Sequence, residues 1–367
     1  MSGRRISMVR RMGCVSVLTA GIVLLSFAAV RAAGVTVSET GSTLIFTLFK
    51  AWVAGYAKVD PNAQMTVGAT GSGAGISQAI ARQVQIGTSD AYMSDVQAMA
   101  NPHILNIPLA ISAQTVDANL PELRGATLKL SGPVLVGIYS GKIREWDAEP
   151  IAAMNRGVHL PHQAIVPVRR ADSSGDTFIF TQFLTFSTPD SDETSYGTWA
   201  DKIGYGTTVS WPSVSGSLTA SGNQGMVQTI ARTPYAVGYV GASFEDDANK
   251  AGLVTAMLQN QDGNFLLPNA ATITAAAASL TPRTPADERL TLVLAPGANS
   301  YPLINYEYAM VSDKQPDAQT ATAISSFLLW CISPQGGSAG SFLDPVHFIA
   351  LPTAIRARSE IQIAKIQ

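Results

Sequence analysis

Cysteine is almost missing from this 367-residue chain, which has only Cys14 and Cys331. With so few thiols a disulfide framework is excluded, and stability has to come from a core. Charge is also sparse, at 14% of residues, and no basic block follows the first 31 positions. Nucleic acid and anionic membrane surfaces are therefore poor partners. Glycine and proline are near average, which rules out collagen-like and low-complexity chains. After residue 30 no run of 18 apolar residues occurs, so a later membrane span is not expected. What is abundant is hydrophobic sequence, 46% of the chain, enough for a large core at a length that suits two domains.

The N-terminus has its own character. Arg4, Arg5, Arg10 and Arg11 precede an apolar run from Gly13 to Val30, and small residues follow at Ala32, Ala33 and Gly34. That order is that of a secretory signal peptide, with cleavage after Ala32 or Ala33. The alternative is an uncleaved anchor, since the run could just span a bilayer. Without this segment the net charge moves from −2 to −7, with 19 basic residues against 26 acidic ones. Cys14 lies at the start of the apolar run and not after it, so it is not placed for lipid attachment. Cys331, within FLLWCIS, reads as a buried, inert thiol.

Strands and helices alternate thereafter. Residues 35–40 read as a strand, about 43–58 as an amphipathic helix, 64–70 as a strand, 76–84 as a helix and 85–90 as a strand. Residues 133–141, 164–172 and 234–244 continue the rhythm as strands, with a helix over 176–186. Later, ITAAAASL reads as helix, 301–313 as strand and 320–333 as helix. The pattern predicts an α/β protein with parallel sheets and crossover helices.

Three strand-to-helix turns concentrate small and hydroxyl residues: Gly41-Ser42-Thr43-Leu44, Gly71-Ser72-Gly73-Ala74-Gly75 and Ser173-Ser174-Gly175-Asp176-Thr177. Free N–H groups and the positive end of the helix dipole suit an anion there, although Ser and Thr are also ordinary helix caps. The glycine turn lacks the dinucleotide spacing and the lysine of a nucleotide phosphate loop. Neither Ser72 nor Ser174 sits in a hydrolase nucleophile elbow. Arg170 lies four residues before Ser174, and Asp172 is placed to orient its guanidinium. Asp90 ends the strand after the second turn. A carboxylate beside an anion suits a ligand that brings its own proton, which hydrogen phosphate does and sulfate does not.

Together the segments GST-L (41–44), GSGAG (71–75), TSD (88–90), GKIREWD (141–147) and VRRADSSGDTF (168–178) resemble the PstS-type periplasmic phosphate-binding proteins of the high-affinity phosphate ABC transporter. NFLLPNA, YPLINYEYA and FLDPVHFIALP are similar to the actinobacterial branch, whose members are often lipoproteins; Cys14 departs from that pattern. The resemblance implies a two-lobed periplasmic-binding-protein fold (type II), each lobe a sheet flanked by helices, with two crossing hinge segments. It implies a signal peptide over 1–32, lobe I over 33–109 and 300–367, and lobe II over 110–299. It implies phosphate donors at Thr43, Leu44, Ser72, Ser174 and Gly175, with Ser42 beside them in the phosphate-binding set, a charge at Arg170 oriented by Asp172, and an acceptor at Asp90. At 176 many members carry Thr. Asp176 keeps the backbone donor, and its side chain is either a second acceptor or a helix cap. The expected partners are inorganic phosphate and the membrane permease subunits of the importer, with no nucleic acid, cofactor or metal. The protein is expected to be a periplasmic monomer and not an enzyme.

Two alternatives stand beside this: a binder of another tetrahedral oxyanion, and a secreted phosphatase, for which no paired metal site or activated nucleophile is evident. His159 and His162 have metal-like spacing but read as a surface loop, and Asp190, Asp192 and Glu193 as a solvated acidic turn. Trp146, Trp199, Trp211 and Trp330 read as core or hinge packing.

Overall fold

The computed structural model describes residues 1–3, 35–123, 125, 127–188 and 199–367. The predicted signal segment and the acidic turn at 190–193 lie outside the described residues, apart from the first three positions. The described residues from 35 to 367 form one compact unit.

The first half-unit opens with β1 (Thr36–Gly41), α1 (Phe46–Tyr56), β2 (Gln64–Thr66), α2 (Ser72–Ile80), β3 (Ile86–Ser89) and α3 (Asp95–Ala100). A 15-residue strand follows, β4 (Ile104–Ala118), buried along its whole length. Then come β5 (Leu128–Leu130), α4 (Gly132–Tyr139), α5 (Glu149–Met154), β6 (Val166–Arg170), α6 (Gly175–Ser187), β7 (Leu218–Ala220) and α7 (Gly222–Arg232). The chain continues through β8 (Ala236–Gly241), α8 (Glu245–Lys250), β9 (Val254–Gln259), β10 (Phe265–Leu266) and α9 (Ala270–Leu280). It ends with β11 (Ile304–Ser312), α10 (Ala318–Ile332), α11 (Gly340–Leu343) and α12 (Thr353–Ile363).

The strands join in the order β2-β1-β3-β11-β4-β8-β6-β7, with β9 also on β4 and carrying β5 and β10. Strand β4 explains how one path holds two sheets. Its residues up to Ala113 pair with β11, whereas Gln114–Ala118 pair with β8. The expected parallel sheets are only half right. β1 runs parallel to β2 and β3, and β6 to β7 and β8, but β4 and β11 are antiparallel to their neighbours. Long strands that pass between sheets need no crossover helix.

Two local expectations are corrected. Residues 133–141 fall in helix α4 rather than a strand. Ser131 caps it by accepting the Val134 N–H, Pro133 occupies its first turn, and nearly every side chain is buried. A helix buried all round shows no 3.6-residue stripe. Helix α2 starts at Ser72, inside the glycine turn, not at 76, because Gly71 supplies the cap with φ +95°.

Aromatic residues fill the core. Phe49 and Tyr56 of α1 meet Phe327 and Trp330 of α10, and Trp52 packs edge-on against Phe49. Trp146 and Trp199 are buried as expected, and Trp211 and Trp330 are half-buried against the same core. Cys331 is buried, and burial pushes its thiol up and away from reactivity. His162 is exposed beside Asp147 and Glu145. Among the described residues no helix is long and apolar enough to cross a membrane.

Burial pushes up several carboxyls of this fold, among them Glu39 to about 7 against hydrogen bonds from Thr88 and Gly68, Asp117 to about 6 against Thr255 and Thr115, and Glu288 to about 8 against Ser359. The folded chain thus holds protons that the unfolded chain releases near pH 4. Stability should fall as pH rises from about 4 through 8. The expected result is a thermal midpoint several degrees lower at pH 8.5 than at pH 5.5, in phosphate-free buffer. A midpoint that rises over that interval would show these carboxyls to be ionised in the fold.

Candidate anion-binding site

The three turns converge. In the first, the Ser42 hydroxyl accepts the N–H groups of Leu44 (3.0 Å) and Ile45 (3.3 Å) and donates to Asp90 Oδ1. Leu44 itself is fully buried, its side chain packed against Gly241. In the second, Ser72 Oγ takes the Asp90 N–H and donates to Asp90 Oδ2, both at 3.2 Å. In the third, Ser174 caps α6 by accepting the Thr177 N–H at 3.3 Å. The N–H groups of Ser72, Gly175 and Asp176 belong to first helical turns, which the helices themselves cannot satisfy.

The second and third turns touch. Gly73 N–H donates to the Ser173 carbonyl at 3.0 Å. A Cβ on Gly175 would lie 2.4 Å from Asp90 Oδ2 and 2.5 Å from Ser72 Oγ, so only glycine allows this approach. Beside Gly73 and Ser173 a cleft of about 890 Å³ opens, with Tyr92, Phe178, Tyr205 and Arg289 on its walls.

Arg170 ends β6 almost fully buried. Its backbone N–H donates to the Tyr239 hydroxyl (3.0 Å), which also meets Thr177 Oγ1 at 2.7 Å and so ties β6 to the start of α6. The guanidinium grips Asp172 through Nε (2.7 Å) and Nη2, and reaches Asp176 Oδ2 through Nη1 at 2.6 Å. Nη2 also donates to Thr43 Oγ1 at 3.3 Å. Burial pushes the Asp172 carboxyl up, but the hydrogen bonds and charge of Arg170 outweigh it and hold it below the usual range. Arg170 is pulled down by burial and pushed up by both carboxylates, with a net rise.

The residues that the sequence proposes for the anion turns, together with Arg170, Asp172 and Asp90, therefore lie in one cluster, and the geometry separates their parts. Asp176 faces donors with both oxygens: Arg170 and Asn223 (2.8 Å) on Oδ2, Gln114 (3.1 Å) on Oδ1. It is a second carboxylate on Arg170, a part the sequence reading gave to Asp172 alone. Asp90, at the opposite side, accepts only hydroxyls and is pushed well up by burial, then by the charges of Glu307 and Asp176, against the Ser42 hydrogen bond.

Four participants escaped the sequence reading. Asn223 donates to Thr43 Oγ1 (3.0 Å) as well as to Asp176, and takes the Gly241 N–H at 2.8 Å. The Gly222 N–H donates to Asp172 at 3.1 Å. SGNQG (221–225) is a fourth strand-to-helix turn, and the same signal of small residues before a helix would have found it. Gln114 and Glu307 carry no local signal.

Hydroxyls, first-turn N–H groups, one guanidinium and one carboxyl meet in one cluster within a two-lobed α/β fold. The PBP superfamily domain model matches residues 28–335. A phosphate-binding protein PstS of Methanocaldococcus jannaschii is 31% identical over 87% of this chain and 83% of its own. The chain belongs to the PstS-type phosphate-binding proteins of that superfamily. The same two-lobed fold recurs in a high-affinity periplasmic phosphate-binding protein, PfluDING, solved with phosphate (TM-score 0.69, 20% identity, 88% of this chain and 92% of that one). It recurs again in a putative phosphate ABC transporter substrate-binding protein of Clostridium perfringens, also with bound phosphate (TM-score 0.58, 16% identity, 87% of this chain and 100% of that one).

Proposed function

We propose that this protein captures inorganic phosphate between its two lobes outside the cytoplasm and delivers it, chemically unchanged, to the permease subunits of an ATP-driven importer. One observation carries the reading: a buried carboxyl, Asp90, stands among the donors of an anion cradle. An acceptor there suits an anion with its own proton and leaves sulfate facing an unpaired oxygen, a mismatch that costs several kcal/mol. Thr43, Ser72, Ser174, Gly175 and Asp176 would supply the donors, with Ser42 spent on Asp90 and the Thr88 carbonyl, Leu44 packing the first turn and Arg170 the charge. Arg170 has five N–H donors, four of which meet Asp172, Asp176 and Thr43. That leaves one for a ligand.

The change of partners along β4 after Ala113 supports lobes that exchange near residues 110 and 300. The arginine-rich, then apolar N-terminus supports export through a signal peptide cleaved after Ala32 or Ala33. Calorimetric titration tests the whole reading. One phosphate per chain is expected, with sulfate failing to compete at hundredfold excess and no turnover of p-nitrophenyl phosphate. Absence of heat with phosphate, or equal competition by sulfate, would sink it.

A further inference from the structure

Glu307 lies on β11 directly behind Asp90, and nothing in the proposed cradle uses it. It is fully buried. Its Oε1 accepts the Ser112 hydroxyl at 2.5 Å and the Asn305 amide at 3.0 Å. Its Oε2 is buried with no donor at all. Asn305, two residues earlier and so on the same face of the strand, also donates to the Asp90 carbonyl at 3.4 Å. Glu307 and Asp90 are within hydrogen-bond reach of each other. The register of β11 against β4 slips between Glu307 and Tyr308, so this carboxyl sits at a built irregularity of the sheet.

Two carboxyls facing one another without water cannot both ionise cheaply. The charge count sharpens the point. Arg170 is the one cation of the cluster, set against Asp172, Asp176, Asp90 and Glu307. With all four ionised the cluster carries −3 before any anion arrives. Asp90 receives a hydroxyl on each oxygen and Glu307 two donors on Oε1, so the one carboxyl oxygen of the pair without a donor is Glu307 Oε2. A proton placed there satisfies both.

We infer that Asp90 and Glu307 hold a single proton between them, and that Glu307 thereby sets the charge and the acceptor capacity that Asp90 offers to the ligand. This rests on the reading of the cleft as a phosphate site. The pair carries −1 instead of −2, and the remaining lone pairs of Asp90 stay open to a ligand hydroxyl. Both carboxyls are raised, chiefly by burial, in keeping with one retained proton. The other groups facing the pair are Asp176 at the start of α6, and through it Arg170 and Asp172. β4, β1 and α2 present the neutral Ser112, Ser42 and Ser72, and Glu39 lies beyond Thr88. The pair titrates as a unit. When its proton leaves at alkaline pH, repulsion should weaken phosphate binding.

Glu307→Gln is the test, because the amide keeps the acceptor for Ser112 and gives Asp90 a donor that never dissociates. Phosphate titrations of both proteins from pH 7 to 9.5 are compared with each protein scaled to its own affinity at pH 7. Wild-type affinity should then fall at least tenfold further than that of the variant. The titration of phosphate itself is common to both and cancels. An infrared difference spectrum, wild type minus Glu307→Gln, of the ligand-free proteins at pH 7 supplies a readout independent of binding: a protonated carboxyl band remains in the difference, while the contributions of Glu39 and Glu288 cancel. Should that variant fail to fold, Asp90→Asn should lose the same band. Parallel pH profiles or an unchanged band would overturn the shared proton. Loss of the band without any phosphate heat would instead overturn the phosphate reading and leave the pair standing.

Discussion

Arg170→Ala should lose phosphate binding by roughly 150- to 5,000-fold, whereas Ser72→Ala should lose only a few-fold to about tenfold. The contrast follows from what each side chain leaves behind. Ser72 gives up a neutral hydroxyl at 3.2 Å from Asp90, a net term of about 0.5–1.5 kcal/mol. Arg170 is the one buried cation between Asp172 and Asp176, and removing it strands both carboxylates next to the incoming anion. Breaking such a buried set costs about 3–5 kcal/mol. The measurement is calorimetric titration of the two variants, with thermal melting to establish that each is folded. Equal losses would mean that Arg170 does not face the ligand.

Gly175→Ala should separate closure from folding. Alanine is the better helix former by about 1 kcal/mol, so the first turn of α6 gains stability and the melting midpoint should hold or rise. Yet the added methyl would sit 2.4 Å from Asp90 Oδ2 and 2.5 Å from Ser72 Oγ, across the meeting of two turns. Overpacking of that kind costs about 1–3 kcal/mol, which as lost affinity is about 5- to 150-fold. Unchanged affinity would show that the third turn does not need to approach Asp90 to hold the ligand.

How far the sequence could be read depended on where each signal lay. The anion turns were legible because a helix start needs small, hydroxyl-bearing residues within a few positions, as in Ser174-Gly175-Asp176. Arg170 and Asp172, two residues apart, likewise show themselves locally. The strand β4 went unread because Ile104–Ala118 is buried on both faces, so the alternation that marks a half-exposed strand never develops. Residues 133–141 read as a strand for the same reason, applied to a helix. Gln114, Asn223 and Glu307 reach the cluster through partners between 47 and 217 residues away along the chain, and composition near them says nothing about that. Asp176 was visible as an oddity; that it would turn to Arg170 was a matter of packing.

The place of β11 has a consequence for the order of assembly. This strand lies between β3 and β4, yet residues 119–303 are synthesised after β4 and before it. Until almost the whole chain has left the ribosome, β3 and β4 lack their shared neighbour, and the central sheet cannot close. Pairings of such long sequence separation form slowly, since a large loop must be ordered before any contact rewards it. On the proposed route out of the cytoplasm, the delay is useful. A chain that cannot finish its sheet early stays threadable, and folding is deferred to the side of the membrane where its ligand is found.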